Sequence, residues 1–141
     1  MTYLAVPVTG LDSEAMLSQI DRAVAAGAEM LEIRSDYIKW LNLDKFSTIL
    51  AYALNKSVPL IVTCRDKAQG GANDYPLDLR LKVLAAAAAT GVDFVDFEFD
   101  NFLNPDSAGI LTRAASSSGK TRIILSAHNF KGRFTDPQML C

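Results

Sequence analysis

The chain has 141 residues, half of them apolar and 21% charged, with a formal net charge of −2 at pH 7. That is the length and composition of one ordinary globular domain, and its slightly acidic balance argues against nucleic acid as a partner, since nucleic-acid footprints are basic. Cys64 and Cys141 form no CxxC pair, no charged segment followed by an apolar core opens the chain, and no apolar run is long enough to span a bilayer. The expectation is a chain without a disulfide framework, zinc cluster or membrane partner, in a reducing cytoplasm.

Short apolar runs alternate with stretches of helical period. "YLAVPVTG" is the first strand-like run, closed by Gly10, and "DSEAMLSQIDRAVAAG" follows as a helix. Asp12 or Ser13 caps it, Met16, Ile20 and Val24 recur on one face, and Gly27 ends it. "EMLEIR" is a strand, "LDKFSTILAYALN" a helix with Phe46, Ile49, Leu50, Ala53 and Leu54 on one stripe, and "VPLIVTCR" a strand whose Cys64 reads as a small buried thiol. "YPLDLRLKVLAAAAATG" is an alanine- and leucine-rich helix and "VDFVDFEF" a strand. "NPDSAGILTRAASSS" is a helix with Asn104 as cap and Pro105 in the first turn, and "TRIILSAH" is the fifth strand. The segment "AGAEMLEIRSD" is echoed in pattern by "TGVDFVDFEFD", as a repeated unit would be.

This βα alternation predicts a parallel sheet with helices outside it, either an open doubly wound sheet or a closed barrel. No GxGxxG follows the first strand, which counts against the dinucleotide-binding version. Side chains two apart on a strand share a face. Glu32 with Arg34, Thr63 with Arg65, Asp96 with Glu98, and Ser126 with His128 therefore form polar pairs at the carboxyl ends of successive strands. Burying charge there is costly unless it is used or paired, and in a barrel that end carries the active site. His128 is the only histidine; imidazole suits proton transfer near neutral pH, and a satisfied core histidine is the structural alternative.

The ordered set "EIRSD", "TCR…QGG", "DFE" and "SAHNF" resembles the type I 3-dehydroquinate dehydratases over nearly the whole chain. The resemblance implies an α/β fold of the (β/α)8 TIM-barrel family, of which residues 1–141 would be the N-terminal portion, with about the first five strands. It implies dehydration of 3-dehydroquinate to 3-dehydroshikimate in the shikimate pathway, through an imine between a lysine and the substrate ketone and without metal or organic cofactor. It makes His128 the catalytic acid/base and Glu32, Arg34 and Arg65 the substrate ligands. Gln69 and Ser126 stand beside them as supporting residues, and Asp96 and Glu98 are read either as supports that orient nearby cations or His128 or as buried structural carboxylates. The substrate is a carboxylate with several hydroxyls, which guanidinium forks and carboxylate acceptors suit. A mutual Glu32–Arg34–Arg65 salt-bridge network is the structural alternative for those three residues.

Several positions depart from the family pattern. Gln69 stands where members commonly carry glutamate, Ala127 where a hydrogen-bonding residue often precedes the histidine, and Pro7 where a serine is common. Barrels of this kind run to about 250 residues. The strand that bears the family's imine-forming lysine has no counterpart here, so the 141-residue chain alone is expected to be inactive. Lys67 and Lys131 are the lysines expected on loops at the same end as the site. "TDPQMLC" reads as the opening of a further helix, capped by Thr135 or Asp136. Exposed sheet edges would favour a homodimer or a complementing C-terminal fragment. The alternatives are a non-catalytic relic or scaffold half-barrel that binds a ligand or partner chain, and another imine-forming barrel such as an aldolase.

Overall fold

The computed structural model describes residues 2–133. Strands β1 (Ala5–Val8), β2 (Met30–Arg34), β3 (Leu60–Thr63), β4 (Phe94–Glu98) and β5 (Arg122–Ser126) form one sheet. They lie in the order β1-β2-β3-β4-β5, all parallel. A doubly wound sheet reverses its strand order at a switch point. This sheet keeps winding in one direction, as barrel sheets do, and that settles the choice between the two architectures. Helices α1 (Ser13–Ala25), α2 (Leu43–Leu54), α3 (Leu77–Ala89) and α5 (Pro105–Ser118) connect the strands, with a single turn α4 (Phe99–Phe102) directly after β4.

The helix starts follow local chemistry. Asp12 accepts a hydrogen bond from Ala15 N, Asn42 from Lys45 N, and Asn104 from the amides of Asp106 and Ser107, so each oxygen satisfies donors that have no partner within the helix. Gly27 has φ +85, the left-handed geometry that ends a helix, just beyond the α1 cap at Ala26.

Alternation along the strands divides the sheet into two faces. Leu31, Ile33, Val62, Val95 and Phe97 are fully buried towards the helices, against Met16, Ile20, Phe46, Ile49, Leu84 and Leu111. Each such side chain contributes about 1.5–3 kcal/mol by leaving water. Cys64 joins this layer at 1% exposure, as expected of a small buried thiol. The other face carries rows fixed by register. Pro7, Glu32, Ile61, Phe94 and Arg122 lie side by side, then Arg34, Thr63, Asp96 and Ile124, then Glu98 and Ser126. The rows become polar towards the carboxyl ends of the strands. Among the described residues no strand pairs with the outer edge of β1 or of β5.

The strands stop earlier than their apolar runs suggest. β3 ends at Thr63 rather than Arg65, β4 at Glu98 rather than Phe99, and β5 at Ser126 rather than His128. In each case the next residues turn into a short helix or a loop; after β3 the Asp66 amide donates to Glu98 Oε1, and after β5 the His128 amide donates to Gln69 Oε1. The helix opening at Thr135 or Asp136 lies outside the described residues.

Candidate functional site

Three clusters occupy the carboxyl ends of the strands. The first is built by β2 and the turn after it. A 3-10 turn at Ser35–Tyr37 carries Asp36 back towards Arg34. Arg34 Nε and Nη2 donate to the two oxygens of Asp36, each at 2.9 Å, and the guanidinium lies 5.0 Å from the centre of the Tyr37 ring. The hydrogen bonds that Arg34 donates to Asp36 hold its pKa above its already high ordinary value, with smaller help from the charge of Glu32. Asp36 is fully buried and also accepts from Ala72 N at 3.0 Å, which ties the loop after β3 to the loop after β2. Glu32 instead accepts from Thr63 Oγ1 on the neighbouring strand at 2.7 Å.

The second cluster is a buried network centred on Glu98, which is 1% exposed. Glu98 Oε1 accepts from Asp66 N at 2.9 Å and from Arg65 Nη1 at 3.3 Å, and Oε2 accepts from Arg80 Nη1 at 2.8 Å and Asn101 Nδ2 at 3.2 Å. Arg65 Nη1 also donates to Ser126 Oγ at 2.6 Å, and its Nη2 lies 2.9 Å from Asp96 Oδ1. Ser126 Oγ donates to that same Asp96 oxygen at 2.6 Å. Arg80 Nη2 closes the network on Asp66 Oδ2 at 2.5 Å. Three carboxylates thus share two guanidinium groups, which is how charges can be held out of water without isolation. Gly71 lies in the turn that follows, and a Cβ there would stand 2.3 Å from the Arg65 carbonyl oxygen.

The third cluster holds the histidine. His128 is exposed, so it is not a core imidazole. Its backbone N–H donates to Gln69 Oε1 at 3.0 Å, and its ring stacks near Phe130 with centroids 6.3 Å apart and planes 10° apart. Gln69 Nε2 reaches Asp100 Oδ2 at 3.4 Å.

The four pairs therefore sit at one end of the sheet, with partners that spacing did not disclose. The mutual Glu32–Arg34–Arg65 network does not form, because Arg34 takes Asp36 and Arg65 takes Asp96 and Glu98. Asp96 and Glu98 orient cations, and no bond links them to the His128 imidazole among the described residues. Arg80 was missed. Its signal was available, since Leu77, Arg80, Leu81 and Leu84 share one helical stripe and a cation among leucines asks for a buried anion. Of the seven lysines none lies on a strand. Lys67 Nζ donates to Ala72 O at 3.1 Å, and Lys131 lies in the exposed loop after β5. Cys64 is held neutral, its thiol pKa pushed up to about 12 chiefly by burial.

A sequence model described as Type I 3-dehydroquinase matches residues 4–140. This chain belongs to the type I 3-dehydroquinase family. The bifunctional 3-dehydroquinate dehydratase/shikimate dehydrogenase of Arabidopsis thaliana is 30% identical over 131 residues, which cover 92% of this chain and 21% of that protein. The 3-dehydroquinate dehydratase of Clostridium kluyveri is 27% identical over 131 residues, 90% of this chain and 51% of the relative. Among solved structures, the 3-dehydroquinate dehydratase of Geobacillus kaustophilus superposes with a TM-score of 0.83 at 18% identity, over 99% of this chain and 55% of that one. The type I enzyme of Clostridium difficile gives 0.81 at 21% identity, over 92% and 52%. The chain thus spans about half the length of single-function 3-dehydroquinase relatives, and its fold is that of the corresponding part of their barrels. Some relatives are multifunctional proteins, among them the pentafunctional AROM polypeptide of Lachancea thermotolerans. No helix among the described residues is long and apolar enough to cross a membrane.

Proposed function

We propose that residues 1–141 supply the anion-holding and proton-transferring part of a 3-dehydroquinate dehydratase site, as the N-terminal portion of a single barrel domain. One observation carries the reading. The family's ordered motifs converge on one end of one sheet, with Arg34 and Arg65 rigidly held and His128 exposed at the same rim. In this reading Arg34 and Arg65 grip the substrate carboxylate, and Glu32 accepts hydrogen bonds from ring hydroxyls. Asp96, Glu98 and Ser126 fix Arg65. His128 removes the proton next to the activated carbonyl and returns one to the departing hydroxyl, forming 3-dehydroshikimate and water.

The amine that activates the ketone is not among the seven lysines of this chain, and the chain alone does not turn over. The positions of those lysines support this, since none stands on a strand facing the clusters. Among the described residues the edges of β1 and β5 carry no partner strand, which supports completion of the site by a complementing C-terminal fragment, with a homodimer as the second arrangement. The setting is the shikimate pathway of the cytoplasm.

The test is binding without turnover. 3-Dehydroquinate should raise the melting temperature of the 141-residue chain, as any ligand selective for the native state does. Arg34→Met should abolish the rise. A rise that persists in Arg34→Met, or no rise in the native chain, would overturn the reading.

A further inference from the structure

The loop after β5 does more than carry His128. It touches the loop after β3 at two points, and both involve neighbouring residues of that loop. Gln69 accepts the His128 backbone N–H. Next to it Gly70 has φ +91, and a Cβ built there would stand 2.9 Å from Cε2 and Cζ of Phe130. The Phe130 ring therefore lies directly against the glycine backbone, although Phe130 is 74% exposed. The same ring is nearly parallel to the His128 imidazole, with planes 10° and centroids 6.3 Å apart. Asn129, between the two aromatic residues, accepts from Lys131 N at 3.0 Å and donates to Arg133 O at 3.4 Å, so the loop is bonded to itself as a turn.

An exposed phenylalanine against a glycine needs an explanation that burial does not give. We propose that Gly70 and Phe130 form a latch that, together with the Gln69 side chain, fixes the direction of the His128 imidazole. Gly70 is required twice, for its left-handed backbone and for the absence of a side chain under the ring. Phe130 acts as the lever: when its ring seats on Gly70, the imidazole two residues earlier is set parallel to it. Both are positioning residues, and the proposal deepens the reading of His128 as the acid/base.

The single histidine makes the latch measurable in the 141-residue chain without turnover, because its Cε1–H group gives one NMR signal. Gly70→Asn accepts the left-handed backbone but puts a Cβ under the ring, which isolates the contact from backbone strain. It should shift the His128 signal away from its native position and abolish the cross-relaxation between the imidazole and Phe130. Phe130→Leu removes the ring current together with the lever, so Gly70→Asn, which keeps the ring, carries the test, and Phe130→Tyr should retain the native signal. Gln69→Leu should speed amide exchange of His128 roughly fivefold, the change a single net hydrogen bond supports. Backbone spectra of the five strands monitor folding in every variant.

A native His128 signal in Gly70→Asn overturns the latch, whatever 3-dehydroquinate does. A displaced signal in that variant, with no response of the native signal to 3-dehydroquinate, upholds the latch and removes the catalytic reading instead.

Discussion

Replacing Arg80 by methionine tests the electrostatic core of the site. Arg80 is 3% exposed and makes contacts of 2.8 Å to Glu98 and 2.5 Å to Asp66. Methionine keeps most of the apolar stem and removes the charge. At an effective dielectric of about 20, two charges roughly 4 Å apart attract by about 4 kcal/mol, and truncating one partner of a buried pair costs about 3–5 kcal/mol. Native domains have only about 5–15 kcal/mol in total, so the variant sits near the edge of folding. With an m-value of about 1.5 kcal/mol/M, the urea midpoint falls by roughly 2–3 M. Far-UV circular dichroism is the suitable probe, because the only tryptophan, Trp40, is 81% exposed and reports little of the core. The double variant R80M/E98Q removes the carboxylate left without its cation. It should be more stable than the sum of the single effects by about 1–3 kcal/mol, as expected for residues in one network. A midpoint shift in R80M below roughly 0.5 M, or additive effects in the pair, would show that water screens the cluster and that its ion pairs contribute little.

Ser126→Ala removes the hydroxyl that joins Arg65 to Asp96, and loses about 1–2 kcal/mol by urea unfolding, since Arg65 keeps its two carboxylates. Cys64 should resist iodoacetamide in the native protein at pH 8, as read by peptide mass spectrometry, because burial holds its thiol neutral. Its raised folded-state pKa also sets a sign. The contribution to stability is fully present below the ordinary thiol value of 9.0 and is lost as pH rises from there to about 12, so the urea midpoint should fall over that window. Cys64→Ala should flatten that part of the profile.

The strands, the main helices and two caps were legible because each rests on local chemistry. Alternation gave the faces of β2, β3 and β4, and Asp12 and Asn104 gave helix starts through the oxygens they place against free amides. Pairing was not legible. Arg34 has a carboxylate two residues away on either side, Glu32 and Asp36, and strand alternation favours neither as a partner. The chain leaves the sheet after Arg34, and the 3-10 turn brings Asp36 within reach. The stripe on α3 marks Arg80 as buried, but its partners stayed hidden for a related reason. Glu98 and Asp66 come from β4 and from the loop after β3, and only the tertiary fold brings a residue of α3 to both. The latch between Gly70 and Phe130 depends on a contact of two loops 60 residues apart, which no periodicity encodes.

The proposed site holds 3-dehydroquinate without an amine of its own. The most direct measurement is the intact mass of the folded 141-residue chain after incubation with 3-dehydroquinate and borohydride, which would reduce any imine to a stable adduct. The mass should stay unchanged, and the melting temperature should show a substrate-dependent rise that Arg34→Met abolishes. A substrate-dependent adduct on Lys67, Lys131 or any other lysine of the chain would contradict that reading.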